Sequence, residues 1–170
     1  MHPSAQKVAQ AAQALGLSIN VVEFDETTRT APDAAAAIGC QVAQIVKSLL
    51  FVVGDQPVVA LVSGANRLDE ARLAALCGTS RKKVKRADAD TARTATGFAI
   101  GGVPPFGHLC KLPVYVDEDL TRFDVVWAAA GTPFSVFAIA PDDLLRATGG
   151  TVANLKVEQT DALHHHTSLG

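Results

Sequence analysis

The feature that most constrains the fold is a pair of apolar runs in the first half of the chain. They occupy residues 48–53 and 57–62, and only Gly54, Asp55 and Gln56 separate them. Neither run shows a regular alternation of apolar and polar side chains, which is typical of strands that are buried on both faces. Because three turn-forming residues connect the runs, the sequence predicts a hairpin of well-buried strands.

Shorter elements are predicted on both sides of this hairpin. Capping residues and helical spacing predict helices at 5–15, 32–38, 68–76, 88–96 and 142–146, and apolar runs predict strands at 21–24, 113–116, 125–130, 134–140 and 152–157. The irregular order of strands and helices does not suit a doubly wound parallel sheet. We therefore expect an α+β (mixed α/β) fold, in which helices pack around a mixed, barrel-like β-sheet. Residues 1–160 are expected to form one domain and residues 161–170 a disordered tail.

Composition limits the class of protein. Of 170 residues, 48% are hydrophobic and 19% charged, which is far from the composition of a disordered chain. No apolar run approaches the roughly 20 residues of a membrane helix, and the first residues lack the apolar stretch of a signal peptide. Three cysteines without metal-ligand spacing favour a reducing compartment over a disulfide framework. We expect a cytoplasmic protein that does not bind membranes.

A run of basic residues interrupts an otherwise acidic chain. Residues 81–86 carry five positive charges in the sequence RKKVKR, although the whole chain has a net charge of −2. Such a run can bind a polyanion such as RNA, or it can be a solvated face with no ligand. The candidates for RNA contact are Arg81, Lys82, Lys83 and Lys85.

The segment 97–108 has the composition of a ligand-binding loop. Its sequence is GFAIGGVPPFGH, with four glycines and two prolines. Glycines allow backbone N–H groups to approach a ligand closely, and prolines stiffen the loop. A rigid loop of amides is suited to an anion or a developing oxyanion, but a tight surface turn has the same composition.

Lys47 stands out because it lies among apolar residues, between Ile45-Val46 and the run that begins at Leu49. A lysine there needs an anionic partner or a path to water, because an unpaired buried ammonium is costly. It is either part of a site or a strand-end lysine whose side chain extends to the surface.

Three segments in this order resemble the YbaK/prolyl-tRNA-synthetase-associated domain family. They are QIVKSL at 44–49, VALVSGANRLD at 59–69, and the loop from Thr96 to Gly107. The later Ala130-Gly131 turn and Asp143-Leu144 also match, so the resemblance extends over residues 4–158. Each motif is weak alone, and their order makes the set specific.

The resemblance implies a trans-editing (ProXp-like) deacylase that hydrolyses the ester of a mischarged aminoacyl-tRNA, often tRNA(Pro). In that family, a lysine at the position of Lys47 contacts the phosphate near the terminal adenosine. The amides of the Gly-x-x-x-Pro loop, here Gly101, Gly102 and the residues up to Pro105, polarise the ester carbonyl. The 2′-hydroxyl of the terminal ribose helps to activate water, so the mechanism requires no Ser-His-Asp arrangement, metal or cofactor.

The resemblance also suggests partners and substrate-binding residues. Candidates for lining the amino-acid pocket are Ser48, Phe106, Gly107, His108 and Thr132. Expected partners are the acceptor end of aminoacyl-tRNA and an aminoacyl-tRNA synthetase, and the protein is expected to be a monomer or weak dimer. The run His164-His165-His166 lacks the spacing of a metal site and is assigned to the tail.

Two other functions fit the same residues. A non-catalytic module would bind aminoacyl-tRNA or a synthetase without turnover, and a small-molecule ester or amide hydrolase would be indifferent to the tRNA. An aminoacyl ester is already activated, so a positioned water and a stabilised oxyanion are enough for its hydrolysis. The deacylase is therefore the leading hypothesis.

Overall fold

The computed structural model describes residues 1–25 and 30–158. The expected tail, with its histidine run, lies outside these residues. The described part contains five α-helices and eight β-strands. The helices are α1 (Pro3–Ala14), α2 (Ala31–Ile38), α3 (Glu70–Leu76), α4 (Ala89–Thr96) and α5 (Pro141–Thr148). The strands are β1 (Val21–Glu23), β2 (Val46–Val53), β3 (Gln56–Ser63), β4 (Val84–Arg86), β5 (Val114–Asp117), β6 (Val126–Ala129), β7 (Ser135–Ile139) and β8 (Thr151–Ala153).

The strands form two sheets. The larger sheet has the order β4-β2-β3-β5-β8, with antiparallel pairing on the β2 side and parallel pairing of β3 with β5 and of β5 with β8. The smaller sheet, β1-β7-β6, is antiparallel. A single bridge between Ile45 and Trp127 links the two sheets. The expected α+β fold with a mixed sheet is confirmed, but the described strands do not close into a barrel.

The predicted hairpin is the centre of the larger sheet. β2 and β3 pair from Val46 opposite Ser63 to Val53 opposite Gln56. This pairing begins two residues earlier than the apolar run at 48–53, so Lys47 lies inside a strand and not before it. Its backbone is therefore held opposite Val62 of β3.

The core has two parts, one on each face of the larger sheet. Between the two sheets, β2 and β3 pack with α1, α4 and α5, and buried members include Val8, Leu61, Phe137 and Leu144. On the opposite face, α3 covers Phe51, Val58 and Val62 through Leu73. A third, smaller group joins α2 to Ile45 and Trp127. These contacts fix the first residues of β2 between the two sheets.

Candidate active site

A cleft of about 480 Å³ opens where the first half of β2 faces the loop at 100–103 and the turn between β6 and β7. Its volume is within the range of small-molecule sites. Its walls come mainly from α2, β2, the loop and the β6–β7 hairpin, with Gly64 after β3 and Arg86 of β4 at the edges. The lining includes Ala31, Ala34, Val46, Lys47, Ser48, Leu49, Gly64, Arg86, Ile100, Gly101, Val103, Trp127, Ala129, Thr132, Pro133 and Ser135.

Among the described residues, the only ionisable side chains in this lining are those of Lys47 and Arg86. Both are cations, so the cleft is suited to an anionic ligand. The described lining has no carboxylate, imidazole or thiol that would serve as a general base. Chemistry in this cleft would therefore depend on positioned donors and on the ligand's own groups.

Lys47 is half-buried, and its ammonium donates a hydrogen bond to the backbone carbonyl of Asn66. Burial lowers the pKa of Lys47, the charge of Asp117 raises it, and the charge of Arg86 lowers it. The lysine is thus neither a free surface cation nor one half of a buried ion pair. One of its three N–H groups has an acceptor among the described residues, and the other two are available to a ligand.

Arg86 is the last residue of β4 and is paired with Phe51 of β2. Its guanidinium carbon is 5.4 Å from the centre of the Phe51 ring, a cation–π geometry that holds the side chain along the sheet. In the sequence, Arg86 is only one member of a basic run. Its place at the cleft follows from the pairing of β4 with β2.

The other basic residues of the run do not line the cleft. Arg81 and Lys82 are exposed on a 3-10 turn, and Lys85 is exposed on β4. Lys83 lines a separate groove of about 390 Å³ beside Tyr115 and Cys77. Successive side chains of a strand alternate between its faces, so Lys85 and Arg86 project on opposite sides of the sheet.

The first half of the loop, residues 100–103, contributes Ile100, Gly101 and Val103 to the cleft lining. Gly101 is exposed with φ +91°, a conformation that favours glycine, and Val103 follows it in the cleft wall. Within residues 1–25 and 30–158, neither of these two amides donates a hydrogen bond. Two N–H groups at one wall of a cationic cleft can donate to a ligand oxygen.

Gly102 has a structural role in the loop, unlike Gly101. Its amide donates to the carbonyl of Ala99 at 3.0 Å, so it is not available to a ligand. A Cβ at this position would lie 2.8 Å from the backbone of Gly131 and from the Cα of Thr132. Glycine is therefore required for the loop to touch the β6–β7 turn, which brings Thr132 to the cleft.

The second half of the loop packs into the body of the protein and does not line the cleft. Phe106 is 4% exposed, and its ring centre lies 5.6 Å from that of Phe137 in the core. Pro105 is also buried. Gly107 lies against α1, where a Cβ would be 2.8 Å from that of Ala11.

His108 is the last residue of this second half. Its Nε2 is 2.7 Å from the carbonyl of Pro104. Burial lowers the pKa of His108, and the hydrogen bond to Pro104 raises it. The imidazole therefore ties the loop to itself and is not among the residues that line the cleft.

Thr132, Ser135 and Ser48 bring hydroxyl groups to the cleft lining. Thr132 is buried, and its side chain shares a hydrogen bond with the hydroxyl of Ser135. The Oγ of Ser48 is also buried, and it has no hydrogen-bond partner among the described residues. A buried hydroxyl without a partner is costly, so Ser48 is suited to a polar group of a ligand.

The sequence reasoning did not assign roles to Asn66, Asp117 and Trp127. Asn66 stands within the quoted motif at 59–69, but nothing in the sequence indicates that its carbonyl binds Lys47. Asp117 is the last residue of an apolar strand and is fully buried. In the sequence, the only sign of its importance is that a polar residue follows an apolar run. Trp127, the one tryptophan, lines the cleft and packs against the small core group of α2.

Two classes of feature are absent from the described residues. None of their helices is long and apolar enough to cross a membrane. Nor do they bring together three or more His, Cys, Asp or Glu side chains that could hold a metal ion.

Comparison with known proteins gives consistent results. The model of the aminoacyl-tRNA editing domain family matches residues 25–147. An uncharacterised protein of Bacillus subtilis (strain 168), YwhH, is 32% identical over 126 residues, which cover 74% of this chain and 78% of YwhH. A proline–tRNA ligase of Geobacter sp. (strain M21) is 35% identical over 88 residues, which are 52% of this chain but only 15% of the ligase.

A solved structure gives the most extensive match among these. It is described as a proposed trans-editing enzyme for prolyl-tRNA synthetase, has 46% sequence identity and a TM-score of 0.88, and covers 93% of this chain and 99% of its own. The expected resemblance is confirmed: this chain belongs to the aminoacyl-tRNA editing domain family.

Proposed function

We propose that this chain is a trans-acting deacylase that hydrolyses the ester of a mischarged tRNA, with tRNA(Pro) carrying a small non-cognate amino acid as the leading substrate. The observation that carries the proposal is that the ammonium-bearing Lys47 and the loop glycine Gly101 line one cleft. The similarity to editing domains and to part of a proline–tRNA ligase supports the choice of substrate.

The reaction begins when water attacks the carbonyl carbon of the aminoacyl ester. The carbonyl oxygen becomes an oxyanion, to which the free amides of Gly101 and Val103 donate. The bond to the ribose oxygen then breaks, and that oxygen takes a proton as the amino acid leaves. Loss of one oxyanion donor typically slows such a reaction by roughly 100- to 1,000-fold.

Lys47 binds the phosphate next to the terminal adenosine, and Arg86 adds a second positive charge on the same side of the cleft. A charge-assisted hydrogen bond to a phosphate oxygen fixes the nucleotide end, so the ester carbonyl lies against the loop. This contact depends on a protonated Lys47.

Water activation comes from the substrate in this proposal. The described lining of the cleft offers no carboxylate, imidazole or thiol. The 2′-hydroxyl next to the ester takes the proton of the attacking water and passes it to the leaving oxygen, which balances the proton transfers.

The amino-acid pocket selects a small side chain. Its walls carry Ala31, Ala34 and Ala129, and the hydroxyl groups of Ser48 and Thr132 face the same space. Alanine, cysteine, serine, threonine and 2-aminobutyrate are the candidates. Differences of one methylene contribute only about 1–3 kcal/mol, so selection among them depends on the exact fit.

Binding of the tRNA body is assigned to the exposed basic residues. Arg81, Lys82, Lys83 and Lys85 are all exposed, and Lys83 also lines the groove at the far end of the hairpin. Contacts to acceptor-stem phosphates would make the affinity fall with salt. The reaction would take place in the cytoplasm, where charged tRNA is made.

The test is a hydrolysis assay on a panel of substrates with Lys47→Ala as the variant. The panel contains tRNA(Pro) charged with alanine, serine, cysteine or proline, and simple aminoacyl esters. We expect turnover of one mischarged tRNA and about a 100-fold lower kcat/KM in Lys47→Ala, since a hydrogen bond to a charged group contributes about 1.5–3 kcal/mol. Lys111→Ala, which removes an exposed lysine outside the cleft, is the matched control.

Two results would contradict the proposal, and each would support a different function. Binding of aminoacyl-tRNA without turnover would indicate a non-catalytic module. Equal turnover of simple esters and aminoacyl-tRNA would indicate a small-molecule hydrolase.

A further inference from the structure

We infer that Asn66 and Asp117 are positioning residues for Lys47: Asn66 holds the ammonium through its backbone carbonyl, and Asp117 fixes Asn66 and supplies the opposing charge. The inference rests on the proposed function, in which Lys47 binds a phosphate. Neither residue lines the cleft, so both would act through Lys47.

The first contact is the hydrogen bond from the Lys47 ammonium to the carbonyl of Asn66. A lysine side chain has four rotatable bonds, and a phosphate contact alone would have to immobilise all of them. Since one N–H is already bound to the protein, much of this ordering takes place before a ligand arrives. The remaining N–H groups then have a defined direction.

The carbonyl of Asn66 is itself held firmly. The backbone amide of Asn66 donates to the carbonyl of Ser63 at 2.9 Å, which closes a turn after β3. Its side-chain Nδ2 donates to Oδ2 of Asp117 and to Oδ2 of Asp119, both at 2.8 Å. Both hydrogens of the amide are thereby used, so the turn that carries the carbonyl is anchored to two carboxylates.

Asp117 is the buried end of this chain of contacts, with 0% exposure. Its Oδ2 also accepts from the Ser63 amide at 3.0 Å, and its Oδ1 accepts from the Asp119 amide at 2.9 Å. In the described part of the chain no lysine or arginine forms an ion pair with it. Three neutral N–H donors satisfy the carboxylate without a direct ion pair, and its charge acts on Lys47 and on Lys156.

The charge of Asp117 favours the protonated form of Lys47. Burial lowers the pKa of Lys47, Asp117 on β5 raises it, and Arg86 on β4 lowers it. No other described side chain in the cleft wall is ionisable, whether on α2, the loop or the β6–β7 hairpin. Removing the charge of Asp117 therefore leaves two influences that both favour the neutral amine.

Asp119 provides a useful contrast. It accepts from the same Asn66 side chain, but it is paired with Lys156 at 2.9 Å and with Arg122 at 3.3 Å. The charge of Asp119 is therefore compensated by two cations, Lys156 and Arg122. Lys156→Gln therefore disturbs the neighbouring ion pair and leaves Asp117 and its donors in place, which makes it the matched control.

The first experiment measures the pKa of Lys47 directly in the full chain with ¹³C-labelled lysine, followed by NMR and assigned with Lys47→Arg. In Asp117→Asn we expect this pKa to fall by about one pH unit, since a nearby opposite charge typically shifts a pKa by about that much. The alkaline limb of kcat/KM should move to lower pH by the same amount. Lys156→Gln should leave both at their wild-type values.

The second experiment separates position from charge. Asn66→Ala retains the Asp117 carboxylate and the backbone hydrogen bond to Ser63, but it removes both side-chain anchors of the turn that carries the carbonyl. We expect kcat/KM to fall at least about tenfold at neutral pH, because small displacements of a positioning group have large effects on rate. The pKa of Lys47 and the alkaline limb should stay close to the wild-type values.

The outcomes are distinct. An unchanged pKa of Lys47 in folded Asp117→Asn, or a wild-type kcat/KM in Asn66→Ala, would overturn the inference. If Asp117→Asn does not fold by circular dichroism, Asn66→Ala decides. If the wild-type protein hydrolyses no aminoacyl-tRNA, the proposed function fails, and the NMR titration of Asp117→Asn still tests the link to Lys47.

Discussion

The two halves of the loop at 100–108 both contain glycine but have opposite surroundings. In residues 100–103, Gly101 and Val103 line the cleft, and their two amides have no acceptor among the described residues. In residues 104–108, Phe106 packs on Phe137 and His108 bonds the carbonyl of Pro104. The first half can donate to a ligand, and the second half anchors the first.

This contrast teaches that a loop of glycines and prolines is not one functional unit. Gly101 and Gly107 both have positive φ, at +91° and +79°. A Cβ on Gly101 would meet only Pro133 at 3.7 Å, whereas one on Gly107 would be 2.8 Å from the Cβ of Ala11. The same residue type therefore leaves open space beside the cleft in one half and allows close packing against α1 in the other.

The largest expected effect is on stability, in the packed half. Phe106→Ala should lower the free energy of unfolding by about 3–5 kcal/mol, because it removes a buried aromatic ring from the core. Urea denaturation measures the loss. The kcat of the folded fraction should remain near the wild-type value, and a large loss of kcat in fully folded Phe106→Ala would mean that the ring belongs to the substrate pocket.

An intermediate effect on rate is expected in the cleft half. Gly101→Ala should lower kcat by about 10- to 100-fold, since an alanine cannot easily keep φ at +91° and the amide would turn away from the ester. Gly107→Ala is the matched control, because it introduces similar backbone strain in the packed half. It should reduce stability with little change in kcat; equal losses of kcat in both variants would remove the distinction between the halves.

The smallest expected effect concerns pH. Because burial lowers the pKa of His108 below its usual 6.5, the folded state favours the neutral imidazole. Stability from this residue is present above pH 6.5 and is lost as the pH falls toward the lowered pKa. His108→Gln should weaken this acid-side decline in thermal denaturation between about pH 7 and 5. An unchanged decline would show that other groups cause it.

Much of the fold was predictable because it depends on local pattern. The two apolar runs predict the β2–β3 hairpin, and Thr30, Asp69 and Asp88 each cap the helix that follows them. The 3-10 turn at Glu118–Arg122 was not predicted, since its cap by Asp117 is visible only in the folded strand. The expected mixed, barrel-like sheet is observed as two sheets, and the described strands do not form a closed barrel.

Less of the candidate site was predictable. Lys47 and the glycine loop could be singled out because a cation among apolar residues and a run of glycines are unusual in themselves. Arg86 could not be separated from Lys85, since only the register of β4 against β2 puts Arg86 opposite Phe51. Phe106 and His108 were placed among the substrate-binding candidates, and the fold turns both away from the cleft lining.

The sequence by itself determined the elements and the unusual residues, because hydrophobic periodicity, caps and turns act between near neighbours. Only the tertiary structure decided which of these residues face the cleft and which support it. Lys47 meets the carbonyl of Asn66, and Gly102 meets the backbone of Gly131, through contacts between segments far apart in the chain. Such contacts depend on strand pairing and packing, and no local pattern records them.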